Sequence, residues 1–104
     1  MESQSTSSPT NLKAIRDKRF PPCITVTGQV MIYTMDGKAT IREADSPSIN
    51  ETILSLELEV KEGSGPMKGV YKEIEPYEYC NDAQKYKQVN VRYNGKENYI
   101  TIEG

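Results

Sequence analysis

The sequence predicts a small all-β domain of five or six strands with at most one short helix. Three observations lead there. Small or apolar residues fill every second position from Ile24 to Ile32, the same alternation runs from Leu54 to Val60, and Asn94-Gly95 separates two further alternating runs. Side chains of a strand point alternately to its two faces, so a period of two marks a strand with one face buried. Asn-Gly supplies the two positive φ angles of a tight hairpin turn.

The chain has 104 residues, enough for one domain, and divides by composition. Met1 to Thr10 is dominated by Ser and Thr, and residues 1–21 read as a disordered polar and basic N-terminal tail, leaving 22–104 as the β domain. Within that tail, Asn11 to Phe20 has the makings of about one helical turn, with Leu12 and Ile15 on one side, stopped by Pro21 and Pro22. A domain of roughly eighty residues buries only about two thirds of its unfolded surface, so its stability leans on a partner, a disulfide or an unusually regular sheet.

The first strand, Ile24 to Tyr33, is followed by Asp36-Gly37, which predicts a second tight hairpin, with Ala39 opposite Thr34 and Ile41 opposite Ile32. Asp45 to Asn50 reads as a loop, and the Asn50-Glu51-Thr52 sequon as chance. Thr52 to Lys61 is the next one-sided strand, with Leu54, Leu56, Leu58 and Val60 facing the core. An edge strand then reaches about Ile74, because Pro76 lacks the ladder donor. Asn81 or Asp82 caps a short helix before Lys87. In the last hairpin Val89 pairs with Ile100, Val91 with Asn98 and Arg92 with Glu97.

The run Ile24-Thr-Val-Thr-Gly28-Gln-Val30, followed by a turn and two amphipathic strands, resembles the opening of OB-fold domains over residues 24–60. In that family a central glycine lets the first strand bend and serve both halves of a small antiparallel barrel. A glycine inside a strand is otherwise unfavourable, so Gly28 marks a bend or bulge on physical grounds alone. The resemblance implies an OB-like barrel; a small β-sandwich is the alternative.

The chemistry available is narrow. No histidine is present, which excludes Ser-His-Asp and Cys-His nucleophile systems and His-ligated zinc. Neither a Walker A pattern nor a dinucleotide-binding glycine fingerprint occurs. The carboxylate pairs Glu57/Glu59 and Glu73/Glu75 fall on polar strand faces and read as solvated surface. No catalytic residue, cofactor or metal site is therefore assigned. Cys23 and Cys80 are either partners in a disulfide or two buried thiols, the thiols being favoured in a cytosolic setting and the bridge in a secreted one.

Charge and aromatic content point to a binding role. Residues 1–22 carry four basic and two acidic side chains, a net of +2, whereas 23–104 carry nine basic and thirteen acidic, a net of −4. An acidic body argues against a broad phosphate-binding face. Lys13 to Arg19 reads as a solvated leader, with a partner-docking arm as the alternative. Tyr71, Tyr77, Tyr79 and Tyr86 cluster within sixteen residues and form the candidate interaction surface, their acidic neighbours favouring a protein partner.

The expected function is a noncatalytic binding module. The OB resemblance implies a small subunit of a multiprotein, single-stranded nucleic-acid-binding complex, in which nucleic acid is met through the complex. The alternative is a secreted or periplasmic β-sandwich that binds or inhibits another protein. No apolar run approaches a membrane span and no secretory signal precedes the domain. Cytoplasmic or nuclear residence is expected, or an extracytoplasmic one if the chain is a processed mature form.

Overall fold

A computed structural model describes residues 9–45 and 50–104. Eight strands account for 63% of these residues: β1 (Thr10–Arg16), β2 (Ile24–Thr34), β3 (Lys38–Glu43), β4 (Ile53–Lys61), β5 (Pro66–Glu73), β6 (Tyr77–Tyr79), β7 (Gln88–Tyr93) and β8 (Lys96–Glu103). One 3-10 turn, Ala83–Lys85, precedes β7, near where a short helix was expected. The strands form a single sheet in the order β3-β4-β7-β8-β1-β2-β5, with β6 beside β2. The sheet curls until its two ends nearly meet, and one backbone hydrogen bond, Glu75 N–H to the Ala39 carbonyl at 3.0 Å, spans the seam. The molecule is thus a nearly closed all-β barrel, built from eight strands rather than five or six.

Strand β2 is its spine. Ile24, Val26, Val30 and Ile32 are fully buried, as the alternation demands, while Thr25, Thr27, Gln29 and Met31 are half-buried on the other face. On one edge β2 carries two partners in succession, β6 along Ile24–Val26 and β5 along Gln29–Thr34. Gly28 marks the switch, its carbonyl accepting the Ile74 N–H at 2.8 Å. Opposite β2 in the sheet order, Leu54, Leu56 and Leu58 of β4 and Val89 and Val91 of β7 complete the core. Burying each such side chain fully contributes roughly 1.5–3 kcal/mol, most of it offset by chain entropy.

The N-terminal boundary differs from expectation. Thr10–Arg16 is no tail and no helical turn but a strand between β2 and β8, so the folded domain begins well before residue 22; residues 1–8 lie outside the described residues. The segment has a period of two as well as an i, i+3 pair. The structure uses the former: Ala14 is buried and Leu12 packs on the core, while Ile15 faces solvent. Asn11, at φ 55°, takes up the irregularity between Thr10 and Lys13.

The hairpin expected at Asp36-Gly37 is also absent. Neither residue has a positive φ, so the turn, closed by Gly37 N–H to the Thr34 carbonyl at 3.3 Å, is not of the primed kind that keeps two strands paired. It releases β3 across the seam, where β3 pairs with β4, and β5 takes the β2 edge instead. The expected pairing of Ala39 with Thr34 and of Ile41 with Ile32 is therefore not formed. Two neighbouring pairs, β1/β8 and β4/β7, are parallel, joining elements far apart in sequence.

The C-terminal hairpin is as predicted residue by residue. Val89 faces Ile100, Val91 faces Asn98 and Arg92 faces Glu97, and Asn94 and Gly95 have φ of 53° and 77°. Part of the expected loop, residues 46–49, lies outside the described residues. Among the described residues no helix is long and apolar enough to cross a membrane.

Candidate interaction surfaces

The four tyrosines do not make one surface. Residues opposite one another in an antiparallel pair share a face. Tyr79 faces Ile24 and Tyr77 faces Val26, which turns both rings inward with the core residues of β2. Tyr79 is buried, with its ring edge-on to Tyr86 at 5.8 Å and 75°, and Tyr77 and Tyr86 pack against the core. Burial first, then Tyr86 and the Glu43 carboxylate, push the Tyr79 phenol well above its ordinary range. Burial and Glu43 also raise that of Tyr77. All three rings thus pack with the core, Tyr79 buried and Tyr77 and Tyr86 partly so. Tyr71 differs because its partner in register is Met31, on the outer face of β2, and it is 48% exposed.

Around Tyr71 the outer face of β2 and β5 is unusually apolar. The Tyr33 ring and the Met31 sulfur occupy the space left by the missing side chain of Gly69, and Met35 lies against Gly65. Tyr33, Met35 and Tyr71 are 50%, 69% and 48% exposed and form a strip at one end of the barrel. Polar contacts tie this end together. The Glu62 carboxylate accepts the Thr34 hydroxyl at 2.7 Å and the Tyr33 N–H at 3.3 Å, and the Lys72 ammonium donates to the Met35 carbonyl at 2.6 Å.

A second surface stands at the other end of β2. Residues 17–23 form a loop between β1 and β2, closed in both directions: Asp17 N–H donates to the Cys23 carbonyl, and Cys23 N–H to the Asp17 carboxylate, each at 3.0 Å. The Arg19 guanidinium bridges Asp17 at 2.6 Å and Glu78 of β6 at 2.7 Å. Cys23 and Cys80 are joined in a disulfide, which fastens the loop's exit to the end of β6. Phe20 projects from the tip of this loop, fully solvated.

Asp17 organises the loop as a carboxylate. The Cys23 N–H first, and Arg19 second, hold its pKa below the ordinary carboxylate value. A depressed folded-state pKa means that its contribution is complete above the unfolded value and is lost as pH falls through the folded one. In an acid titration followed by NMR, the Cys23 amide is expected to shift with a midpoint below that of a free aspartate. A midpoint at or above the free value would show that the carboxylate does not hold the loop.

The remaining candidate groups are accounted for locally. Glu57 and Glu59 both bind the Arg42 guanidinium, at 3.0 and 2.8 Å, so this acidic pair is a clamp across β3 and β4. Cys23, Cys80 and Glu78 lie close enough together to suggest a metal site, but both sulfurs are consumed in the disulfide, leaving no thiolate to bind an ion. Of the residues singled out by sequence, Tyr71 is exposed and Cys23 is bonded to Cys80; Tyr33, Met35 and Phe20 are exposed as well and carry no pattern that sets them apart as a group. Phe20 did carry a signal: it is the chain's one phenylalanine, set between Lys18-Arg19 and Pro21-Pro22-Cys23.

Comparison with protein-family models, curated proteins and solved structures finds no match for this chain.

Proposed function

We propose that this chain is a noncatalytic protein-binding module that works in an oxidising, extracytoplasmic setting. The observation that carries the reading is the strip of Tyr33, Met35 and Tyr71, exposed together on the outer face of β2 and β5. Aromatic and methionine side chains gathered on one exposed face are the composition of a protein interface, the rings offering large contact area at low entropy cost and the methionine adapting its shape to the partner. The acidic balance of residues 23–104 supports a protein over phosphate-rich nucleic acid. The Cys23–Cys80 bond supports the compartment, since such bonds persist where thiols are not kept reduced.

The test uses the tagged full chain, recovered from its natural source at moderate salt, with nuclease-treated controls. A protein partner is expected to survive nuclease and to bind the Tyr71→Ser/Met35→Ser double variant at least about ten-fold more weakly, the size of a modest interface anchor. Both side chains are exposed, so thermal stability should change little. Equal binding by the double variant, or recovery that depends on nucleic acid, would overturn the reading. Alkylation of native material should find neither cysteine as a free thiol.

A further inference from the structure

Phe20 is 99% exposed, yet its loop is tied down at its base and at its exit. Reciprocal bonds between Asp17 and Cys23 close the loop's base, Arg19 ties it to Glu78 of β6, and the disulfide fastens its exit to Cys80. Pro21 and Pro22 restrict the backbone directly after Phe20. A phenyl ring held in water does nothing for this fold. Its backbone is already ordered, so a partner that takes up the ring gains apolar burial without the ordering cost of a flexible loop.

We infer that the loop of residues 17–23 is a second protein-binding site in which Phe20 is the anchor, entering an apolar pocket on the partner sized for one phenyl ring. It lies at the opposite end of β2 from the Tyr33/Met35/Tyr71 strip, up to about 33 Å away at strand rise, and stands independently of that strip's role. A lipid surface is the competing occupant of an exposed aromatic beside Lys-Arg. It is disfavoured because Asp17 and Glu78 neutralise Arg19, leaving Lys18 as the loop's one cation without an ion pair among the described residues. Membrane binding scales with the apolar area buried and the charge offered to anionic lipid, and one ring beside one cation supplies little of either.

The experiment places a photoreactive p-benzoylphenylalanine at position 20 of the full chain and irradiates it in an extract of the natural source. The control carries the same probe at exposed Lys87. Unlabelled wild-type chain and the Phe20→Ala variant then compete for the adduct, after both show the same thermal midpoint. The expected result is an adduct to one protein that is specific to position 20, against which Phe20→Ala competes about 30-fold less well than wild type, the loss typical of an aromatic anchor. Equal competition by Phe20→Ala would overturn the site, as would adducts no stronger than from position 87. Equivalent labelling of phosphatidylcholine/phosphatidylserine vesicles would assign the ring to lipid instead and overturn the protein pocket.

Discussion

Replacing both cysteines, as Cys23→Ser/Cys80→Ser, is expected to lower the thermal midpoint by roughly 15–30 °C. The bond closes a segment of 57 residues, and removing a cross-link of that length frees about 4 kcal/mol of chain entropy in the unfolded state. In a domain of this size each kcal/mol is worth about 4–8 °C. The native side of the balance adds to the effect. Strand β6 has only three residues, paired to Ile24, Thr25 and Val26, and the bond lies immediately beyond the Ile24–Tyr79 pair. Without it, Tyr79 and the aromatic contact to Tyr86 depend on those three pairs. Reductant should reproduce the loss in the wild-type chain and leave the serine variant unchanged. A midpoint indifferent to reductant in the wild type would mean that the bond is not formed, and would remove the argument for an oxidising compartment.

Local patterning determined a good deal of this fold and nothing of its closure. The C-terminal hairpin was legible in full because turn type, register and apolar face all lie within sixteen residues and agree. The inward face of β2 and that of β4 were legible for the same reason. The separation of β2 from β3 was not, since Asp-Gly permits a primed turn without compelling one, and β5 competes for the same edge. The parallel pairs β1/β8 and β4/β7 leave no local trace, because they join residues that meet only when the barrel curls. Strand β1 carried both a helical and an extended pattern in seven residues, and its place between β2 and β8 decided the outcome.

The candidate sites follow the same division. Tyr71 and Tyr77 are alike in sequence, and only their register against Met31 and Val26 turns one outward and the other inward. The cysteine pairing was open in the sequence because it depends on β6 lying beside the start of β2, an adjacency without a pattern. Phe20 was hidden by its neighbourhood. A polar, basic stretch ending in two prolines reads as a leader, and only the long-range ties to Glu78 and Cys80 convert it into a fixed loop.

Gly28→Val is expected to destabilise the barrel by about 3 kcal/mol. A Cβ at position 28 would stand 2.7 Å from the Leu12 Cδ2 methyl, 3.4 Å from the Leu12 Cα and 3.4 Å from the Ile74 Cδ1. Leu12 belongs to β1, beside β2 in the sheet, so the glycine is the place where the irregular stretch of the first strand crowds the spine, on the same residue at which β2 changes partner. A single methyl is tolerable: the distal end of Leu12 can swing aside, and Gly28→Ala should cost under about 1 kcal/mol, within the range of tolerated small changes. The branched valine also meets Ile74, which is fixed by its N–H bond to the Gly28 carbonyl, and overpacking of that kind costs about 1–3 kcal/mol or more. The decisive measurement is a double-mutant cycle with Leu12→Ala by chemical denaturation. Removing the obstructing methyls should recover at least about 1 kcal/mol of the valine penalty, a coupling expected only between residues in contact. Additive losses would mean that β1 does not crowd Gly28, and the N-terminal segment would then return to being a leader outside the domain.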